Sequence, residues 1–382
     1  TLGDLGILPV LNRKALLALG EKTYLNHDFI NQPTLSYYSS GTTGVPLKHF
    51  YSEREILINY ATFLFRHPMF ENFSLSKLLS RKPFVVLGMP GVRHVFEKDF
   101  FYKTYPSTQS SDLDNQDLRA DIYTSIRNAA PAFLIGYGSL IAKLAEWIIE
   151  DGVNLPIFAV RTTSEPISIV ERELIGRITD TPVINMLSGN GIGYIGFECP
   201  TNQGYFHINS ETVVMEIVGE DDPMAERSEG ELIITSFAYT LNPVVRYAHN
   251  DMGQILNYTC GCGRTLPLIK FHGRRGYEIV LPSGRKIKMI YLYSVALMRD
   301  AGLGRLAKQF QIIQNRIDNL LLLIVPRQKI SDLDEIKIRL AITELFGGEK
   351  INIEIKCVDV IPDGRGHKPS FFIPLSEFKE RN

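Results

Sequence analysis

A strand, a helix and a second strand follow one another between residues 132 and 161, and this order constrains the fold more than any other feature. Residues 132–138 begin with a continuous apolar run, residues 140–149 repeat apolar side chains at helical spacing, and residues 157–161 are again apolar. Such a strand-helix-strand passage is the unit of a mostly parallel sheet. A second passage follows in residues 168–178 and 183–186. The sequence therefore predicts an α/β fold.

The pattern changes after residue 205, where apolar residues alternate with polar ones along short segments. This alternation predicts an antiparallel or barrel-like subdomain within a large N-terminal domain. Beyond residue 273 the order of strands and one helix suits a small α+β lid. The predicted domains are residues 1–272, which form a core with a β-rich subdomain from about residue 205, and residues 273–382. The predicted elements of the lid are strands at 278–280, 310–313 and 320–325, a helix at 333–346 and a strand at 351–355.

The charge balance excludes several classes of partner. The chain has 382 residues with 41 basic and 42 acidic side chains, a net charge of −1, and 45% hydrophobic residues. No electrostatic field favours nucleic acid or an anionic membrane, whereas a small-molecule partner fits well. No apolar run approaches the ~20 residues that span a bilayer, and the chain does not open with a basic region followed by an apolar one. We therefore expect a cytoplasmic protein.

A stretch rich in glycine and hydroxyl residues lies near the amino end. It reads Ser39, Ser40, Gly41, Thr42, Thr43, Gly44, Val45, Pro46, Leu47 and Lys48. Flexible backbone N–H groups, hydroxyl donors and one cation can cradle a phosphate. The spacing is shorter than in a Walker loop, and the same composition also suits a flexible surface turn.

This stretch resembles the phosphate-binding loop of adenylate-forming enzymes, the superfamily of acyl-CoA synthetases, peptide-synthetase adenylation domains and luciferases. Further stretches resemble one branch of that superfamily, which holds phenylacetate-CoA ligase and the capsule-biosynthesis CapK-like proteins. They occur in the family's order up to about residue 370, which is nearly the whole chain. They are residues 161–166, 185–189, 245–251, 272–276 and 361–368.

The resemblance assigns nucleotide contacts to several residues. Ser164, Glu165 and Pro166 correspond to the adenine-facing turn, although such a turn is also common on protein surfaces. Ser188 lies in the stretch that corresponds to the family's Tyr-Gly-Leu-Ser/Thr-Glu. Asp251 ends the stretch that corresponds to Arg-Tyr-x-x-x-Asp, where one carboxylate can accept hydrogen bonds from both ribose hydroxyls. A plain turn is the other interpretation of Asp251.

Two positions depart from the family pattern. The family's magnesium-binding glutamate corresponds to Gly189, and its adenine-packing aromatic residue corresponds to Asn185. Without that carboxylate the site loses a charge that offsets the dehydration of Mg²⁺. Either another carboxylate takes its place, Glu198 being the near one in sequence, or ATP use is weakened or lost.

The lid carries two further assignments by resemblance. Residues 272–276 correspond to the hinge motif, in which Arg274 would reach ribose or phosphate oxygens. Gly276 stands at the family's hinge aspartate, where it can absorb the φ/ψ change of a rotating lid. Lys368 corresponds to the catalytic lid lysine, which neutralises charge as the carboxylate attacks the α-phosphate, but only with a shift of one residue because His367 intervenes. A solvated loop lysine is the alternative.

Four cysteines are too few for a disulfide scaffold in a chain of this size. Three of them form a Cys3His set with one histidine, namely Cys199, His207, Cys260 and Cys262. Thiolates and an imidazole in a closed tetrahedron are the ligands that structural zinc prefers. The phenylacetate-CoA ligase-like branch resembles this arrangement too. The sequence predicts a structural Zn²⁺ site, with Cys357 left over as a core residue.

The resemblance implies ATP-dependent activation of a carboxylic acid to an acyl-adenylate, with Mg²⁺ as a cofactor in doubt. The acyl group would then pass to CoA, to a carrier-protein thiol or to a reductase. The family and the turn at residues 136–138 suggest an aryl or other apolar acid. Relatives serve antibiotic pathways such as phenazine tailoring and often form homodimers. The alternative is a non-catalytic relative that binds a nucleotide or an acid and has lost the magnesium site.

Overall fold

A computed structural model describes most of the chain. The described residues are 2–20, 25–26, 28, 34–38, 47–71, 76, 82–89, 101–106, 108, 111–189, 191–219, 229–256, 259–289, 292–361 and 372–375. They form two compact units. The first comprises the described residues of Thr1–Ser39, Leu47–Ile167 and Glu171–Phe271, and the second those of Ser168–Val170 and His272–Asn382.

The regular elements of the described part are as follows. The helices are α1 (Arg13–Leu19), α2 (Glu53–Arg66), α3 (Gln116–Asn128), α4 (Gly138–Glu150), α5 (Ile169–Gly176), α6 (Leu303–Leu306) and α7 (Asp332–Leu345). Short 3₁₀ helices occupy Leu2–Ile7, Pro68–Phe70 and Ser111–Asp114, and a π-helix occupies Leu292–Asp300. The strands are β1 (Thr34–Tyr38), β2 (Lys48–Ser52), β3 (Phe84–Leu87), β4 (Phe101–Tyr105), β5 (Ala132–Gly136), β6 (Ile157–Thr163), β7 (Ile184–Gly189), β8 (Gly193–Glu198), β9 (Tyr205–Ile208), β10 (Val213–Val218), β11 (Glu229–Ser236), β12 (Val244–Leu256), β13 (Leu268–Arg274), β14 (Glu278–Val280), β15 (Lys286–Lys288), β16 (Ala307–Arg316), β17 (Asn319–Pro326), β18 (Asn352–Cys357) and β19 (Phe372–Ile373).

The first unit is built on one large sheet. Among the described residues its strand order is β10-β11-β12-β13-β9-β8-β7-β6-β5-β3-β4. Strands β4, β3, β5, β6 and β7 pair in parallel, as the strand-helix-strand passages predict. The pairs formed by β8 with β7 and with β9 are antiparallel. The α/β class is confirmed.

Among the described residues, the strands of the first unit after residue 205 form no separate sheet of their own. They extend the parallel sheet, and the change to antiparallel pairing occurs earlier, at β8. Only a few residues separate the end of β7 from the start of β8. A connection this short can join antiparallel neighbours only. Of the two expected forms, the antiparallel one is confirmed among the described strands.

Both faces of the parallel half of the sheet are covered, which explains the unbroken apolar runs in its strands. On one face Val86 and Phe133 share a core with Phe63 of α2. On the other face Leu87 and Leu134 share a core with helices α3 and α4. Helix α2 begins with a cap that its sequence carries, since Ser52 and Glu55 form a reciprocal capping box.

The second unit is a small α+β structure. Its described strands form a sheet of order β18-β17-β16-β19 and a separate β14-β15 hairpin. Helix α7 begins at a capping box between Ser331 and Asp334, and its buried residues Ile338 and Ile342 share a core with Leu322 of β17. Among the described residues, no helix is both long enough and apolar enough to cross a membrane.

Candidate nucleotide site

The turn between β7 and β8 is the centre of the candidate site. It follows the carboxyl ends of the parallel strands β6 and β7, the edge at which open α/β sheets bind ligands. Ser188 at the end of β7 lies 3.3 Å from Thr163 at the end of β6, Oγ to Oγ1. Thr163 directly precedes Ser164. The structure therefore brings two of the predicted motifs, residues 161–166 and 185–189, side by side.

Glu165 links this edge to the start of α4. Its Oε1 accepts a hydrogen bond of 2.6 Å from the backbone N–H of Ser139, and its backbone carbonyl lies 3.4 Å from Nδ2 of Asn185. Burial, with a contribution from Glu165, raises the pKa of Tyr137 to about 12. The turn predicted near the acyl group therefore lies beside the turn predicted to face adenine, and Tyr137 stays a neutral hydroxyl.

Three residues of these motifs that are not glycine have left-handed backbone conformations. Ser164 has φ 70°, Arg246 has φ 46° and Asn250 has φ 62°. Such conformations cost of order 1 kcal/mol or more and are concentrated at functional sites. Ser164 and Asn250 are each next to a predicted nucleotide contact, Glu165 in one case and Asp251 in the other.

Asp251 is a buried carboxylate on β12, only 3% exposed. Its Oδ2 lies 2.5 Å from Nδ1 of His249, two residues earlier on the same strand. The two side chains meet at a bulge in the strand, where Asn250 has φ 62° and the pairing with β11 shifts register. Asp251 is therefore held in a fixed orientation by a neighbour to which the sequence pattern assigns no role.

His249 connects Asp251 to the β7–β8 turn. A Cβ built on Gly189 would lie 2.6 Å from Nε2 of His249, closer than real contacts allow, and a tight 3.1 Å from Cδ1 of Ile192. The imidazole therefore packs directly over the glycine. Motifs 185–189 and 245–251 meet at this contact.

Strand β2, which follows the predicted phosphate loop, contacts the same turn. A Cβ on Gly191 would lie 2.3 Å from Nδ1 of His49, and Tyr51 accepts a 2.9 Å hydrogen bond from the Gly191 N–H. Burial, followed by the charge of Arg13, lowers the pKa of His49 to about 4. His49 is thus neutral near pH 7. Lys48, at the start of β2, lies with its Nζ 4.9 Å from the ring centroid of Phe50.

Several predicted site residues fall elsewhere. Ser39, Ser40, Gly41, Thr42, Thr43, Gly44 and Lys368 lie outside the described residues. Pro166 is half-buried in the turn after Glu165. Arg274 is exposed at the end of β13 and belongs to the second unit, and Gly276 follows it with φ 76°.

Glu198 is not available as a substitute for the missing magnesium ligand. Its two oxygens lie 2.8 and 3.0 Å from Nη2 of Arg172, and they also accept the backbone N–H groups of Asn185 and Gly204. It ends β8, whereas the turn is at the start of β8, about 15 Å away at the rise of an extended strand. The proposed substitution by Glu198 is therefore wrong.

The Cys3His set converges in the structure. The candidate ligand atoms of Cys199, His207, Cys260 and Cys262 all lie within 4.8 Å of one another. Sγ of Cys199 is 3.5 Å from Sγ of Cys260, and Sγ of Cys262 is 3.2 Å from Nε2 of His207. Sulfur atoms on a tetrahedral zinc ion would be about 3.8 Å apart. The spacing fits a closed four-ligand site without rearrangement of the backbone.

The elements around this cluster hold each ligand in place. Cys199 follows β8, His207 lies on β9, and the two remaining cysteines lie in the loop that leads to β13, which pairs with β9. Nδ1 of His207 is 3.3 Å from the carbonyl oxygen of Leu266, which leaves Nε2 as the ligand atom. The fourth cysteine, Cys357, is exposed at the end of β18, so its expected place in the core is wrong.

The cysteine pKa values indicate how much negative charge the cluster can hold. Burial alone would raise the pKa of Cys199, but hydrogen bonds from Thr201, His207 and Cys260 lower it to about 6. Burial raises the pKa of Cys262 to about 11. The thiolate of Cys199 is therefore readily formed, while that of Cys262 needs a cation nearby.

Comparison with known proteins relates this fold to one enzyme class. A 2-hydroxyisobutyryl-CoA ligase in complex with 2-HIB-AMP superposes with a TM-score of 0.69 at 14% identity, covering 100% of this chain and 84% of that chain. The anthranilate CoA ligase AuaEII in complex with anthranoyl-AMP gives 0.63 at 14% identity, with 91% and 65% covered. The amide bond synthetase McbA from Marinactinospora thermotolerans gives 0.59 at 13% identity, with 88% and 67% covered. The chain has the fold of adenylate-forming ligases, as its motifs predict.

The sequence comparisons find similarity to CapK. Residues 281–374 match the family model described as the CapK C-terminal domain. The protein CapK of Staphylococcus aureus is 23% identical over 253 residues, which cover 64% of this chain and 53% of that protein. The match thus spans about half the length of that relative.

Proposed function

We propose that this protein activates a carboxylic acid with ATP, forming an acyl-adenylate and pyrophosphate. The observation that carries the proposal is the meeting of separate motifs at the β7–β8 turn. His249 contacts Gly189, His49 contacts Gly191, and Thr163 contacts Ser188. These segments are far apart in sequence, and a nucleotide site would require them together.

The assigned roles follow the chemistry of each group. Asp251 accepts the ribose hydroxyls, because a carboxylate can accept two donors at once. The turn of Ser164, Glu165 and Pro166 faces adenine, and Ser188 lies at its edge. The loop of Ser39, Ser40, Gly41, Thr42, Thr43 and Gly44, together with Lys48, holds the β- and γ-phosphates.

In the reaction a substrate carboxylate oxygen attacks the α-phosphorus. The new P–O bond gives the mixed anhydride, and the bond to pyrophosphate breaks. Charge develops on the phosphate oxygens during this step, and Arg274 and Lys368 of the C-terminal unit would stabilise it. The acyl group then passes to a thiol of CoA or a carrier protein, or to a reductase. An aryl or other apolar acid fits the neutral hydroxyl of Tyr137 beside the expected acyl site.

The described residues at the turn do not form a magnesium site. Mg²⁺ requires oxygen ligands in near-octahedral geometry. Position 189 is glycine, the side chains packed on the turn include the imidazoles of His49 and His249, and Asp251 is hydrogen-bonded to His249. We therefore assign no protein ligand to Mg²⁺.

The Cys3His cluster fits zinc. Cys199, His207, Cys260 and Cys262 would hold Zn²⁺ with no open position, so the ion would stabilise the fold and take no part in the reaction. It would join the loop after β12 to strands β8 and β9.

The second candidate function is that of a non-catalytic nucleotide- or acid-binding protein. The observation that favours it is the glycine at position 189, where the family has a carboxylate. Exchange of labelled pyrophosphate into ATP, measured with a panel of aryl and aliphatic acids, separates the two functions. Acid-dependent exchange supports the ligase, while ATP binding without exchange for any acid supports the binding protein.

The matched variants for this assay are Asp251→Asn and Asp180→Asn. Asn keeps the size of Asp251 but cannot accept two hydroxyl donors equally, so exchange should fall about tenfold or more. Asp180 is exposed and belongs to no motif, and its substitution should leave exchange unchanged. Equal exchange rates for the two variants would show that Asp251 does not contribute to the site.

A further inference from the structure

His249 fills the space into which a side chain at position 189 would extend. A Cβ at position 189 would meet Nε2 of the imidazole at 2.6 Å and Cε1 at 3.3 Å. The ring cannot move aside freely because Nδ1 is 2.5 Å from Oδ2 of Asp251. Glycine at 189 and histidine at 249 are therefore complementary, and any larger residue at 189 requires a different group at 249.

The orientation of the ring leaves Nε2 facing the turn. Nδ1 is engaged by Asp251, and the ring of Tyr247 lies edge-on with its centroid 6.5 Å away. Within the described part of the chain, Nε2 of His249 has no hydrogen-bond partner, and 14% of the side chain remains accessible. A polar atom that is fixed, half-enclosed and unpaired at a binding edge is suited to a ligand.

We propose that His249 donates a hydrogen bond from Nε2 to a phosphate oxygen of the bound nucleotide, an inference that rests on the proposed function. Phosphate oxygens are acceptors only, so the imidazole must present an N–H. Because Nδ1 is engaged by the carboxylate of Asp251, Nε2 donates in the imidazolium form of the ring, in which both nitrogens are donors. Asp251 and His249 thus form one unit in which the first contacts ribose and the second contacts phosphate.

The consequence concerns the charge of the site. A carboxylate at position 189 would add a negative charge beside the phosphates and would require a cation between them. An imidazole that donates a hydrogen bond needs no such cation. The imidazole of His249 therefore offers a hydrogen-bond donor to the phosphate directly, whereas a carboxylate at position 189 would need a bound cation between itself and the phosphate.

The first test compares adenosine, AMP and ATP as ligands of the wild-type protein and of His249→Gln by isothermal titration calorimetry. Loss of a charge-assisted hydrogen bond should weaken AMP or ATP binding about tenfold to a hundredfold. Adenosine has no phosphate, so its affinity should change less than about twofold. An equal loss for adenosine would show that His249 acts only through Asp251, and an unchanged ATP affinity would show that it makes no contact. Either result overturns the proposal.

The test also separates this proposal from the function on which it rests. If the wild-type protein binds neither adenosine nor ATP, the proposed function fails and the phosphate contact fails with it. If the wild type binds all three ligands and His249→Gln leaves each affinity unchanged, only the phosphate contact fails.

A second test uses the complementarity of the two positions. Gly189→Ala should weaken ATP binding in the wild-type background because its Cβ displaces the ring. In a His249→Ala background the space is open, and Gly189→Ala should weaken ATP binding by less than about a further twofold. If Gly189→Ala weakened ATP binding equally in both backgrounds, the contact between the two positions would be refuted. Thermal melts of all four proteins would show whether each variant is folded.

Discussion

The carboxylate of Glu55, in the first turn of α2, accepts a 2.7 Å hydrogen bond from the backbone N–H of Leu241, 186 residues further along the chain. It also accepts the backbone N–H of Ser52 and the N–H and hydroxyl of Thr240. One buried side chain thus fixes the start of α2 against the turn after β11. Because β2 leads directly into α2, this contact also anchors the strand that carries Lys48 and His49.

Glu55→Gln should destabilise the first unit by about 2–4 kcal/mol, since the new amide NH₂ would face backbone N–H donors and leave them unpaired. Urea unfolding followed by circular dichroism measures the change. Glu53→Gln is the matched control, because Glu53 is an exposed residue of the same helical turn. If Glu55→Gln lowered the free energy of unfolding no more than Glu53→Gln does, the role of the Glu55 carboxylate would be contradicted.

The buried imidazole of His49 should make stability depend on pH. Its pKa is about 4 in the folded protein and 6.5 when unfolded, because burial and then the charge of Arg13 disfavour the proton. Below pH 6.5 the unfolded chain therefore binds a proton that the folded chain does not. The free energy of unfolding should therefore fall as the pH is lowered from 6.5 to 4, and His49 should account for about 3 kcal/mol of that fall.

The measurement is the free energy of unfolding of wild type and His49→Gln at pH 7 and at pH 5. Glutamine has no proton to bind in this range, so the difference between the two pH values should shrink in the variant. Carboxylates contribute equally to both proteins and cancel in the comparison. An identical pH dependence in the variant would refute the assignment.

The Cys3His cluster should contain about one zinc ion per chain by elemental analysis. Cys260→Ser should lose the metal and lower the melting temperature by roughly 5–10 °C, because metal binding contributes to folding free energy. Cys357→Ser is the control, since Cys357 is exposed and distant from the cluster in sequence. A wild-type protein that is fully folded and free of metal would disprove the site.

Local signals in the sequence identify the elements well. The Ser52–Glu55 pair predicts the start of α2, and the apolar runs predict β3, β5 and β6, because caps and periodicity are properties of neighbouring residues. Residue type and spacing, together with the family resemblance, also group the three cysteines with His207. Their convergence within 4.8 Å confirms that these residues form one cluster.

Contacts between distant segments could not be predicted in the same way. The alternating strands after residue 205 indicate antiparallel pairing, but nothing local shows that β8 joins them to the parallel strands. Glycine at 189 is recognisable as a departure from the family, while its physical reason lies at His249, which is far along the chain and meets the glycine only in the fold. Glu198 is the opposite case. It is near Gly189 in sequence, but it lies at the far end of β8 and is hydrogen-bonded to Arg172.

Arg161 should be a residue whose removal stabilises the protein. It is 2% exposed, its guanidinium lies 4.6 Å from the ring centroid of Phe63, and its Nη1 is 3.4 Å from the hydroxyl of Tyr194. Within the described residues no carboxylate pairs with it, and its Nε has no acceptor. Burying a charge without a partner costs several kcal/mol, which the ring contacts offset only in part.

Arg161→Met keeps the length and the apolar contacts of the side chain while it removes the charge, and it should raise the free energy of unfolding by about 1–3 kcal/mol. Arg119→Met is the matched control. Arg119 is also buried and lies 3.8 Å from the ring centroid of Trp147, but it has Asp151 at 3.7 Å and donates to the Leu113 carbonyl oxygen. Its substitution leaves those groups without their partner and should destabilise the protein. Urea unfolding of both variants measures the change. If the two substitutions lowered the free energy of unfolding equally, the charge of Arg161 would be compensated as fully as that of Arg119.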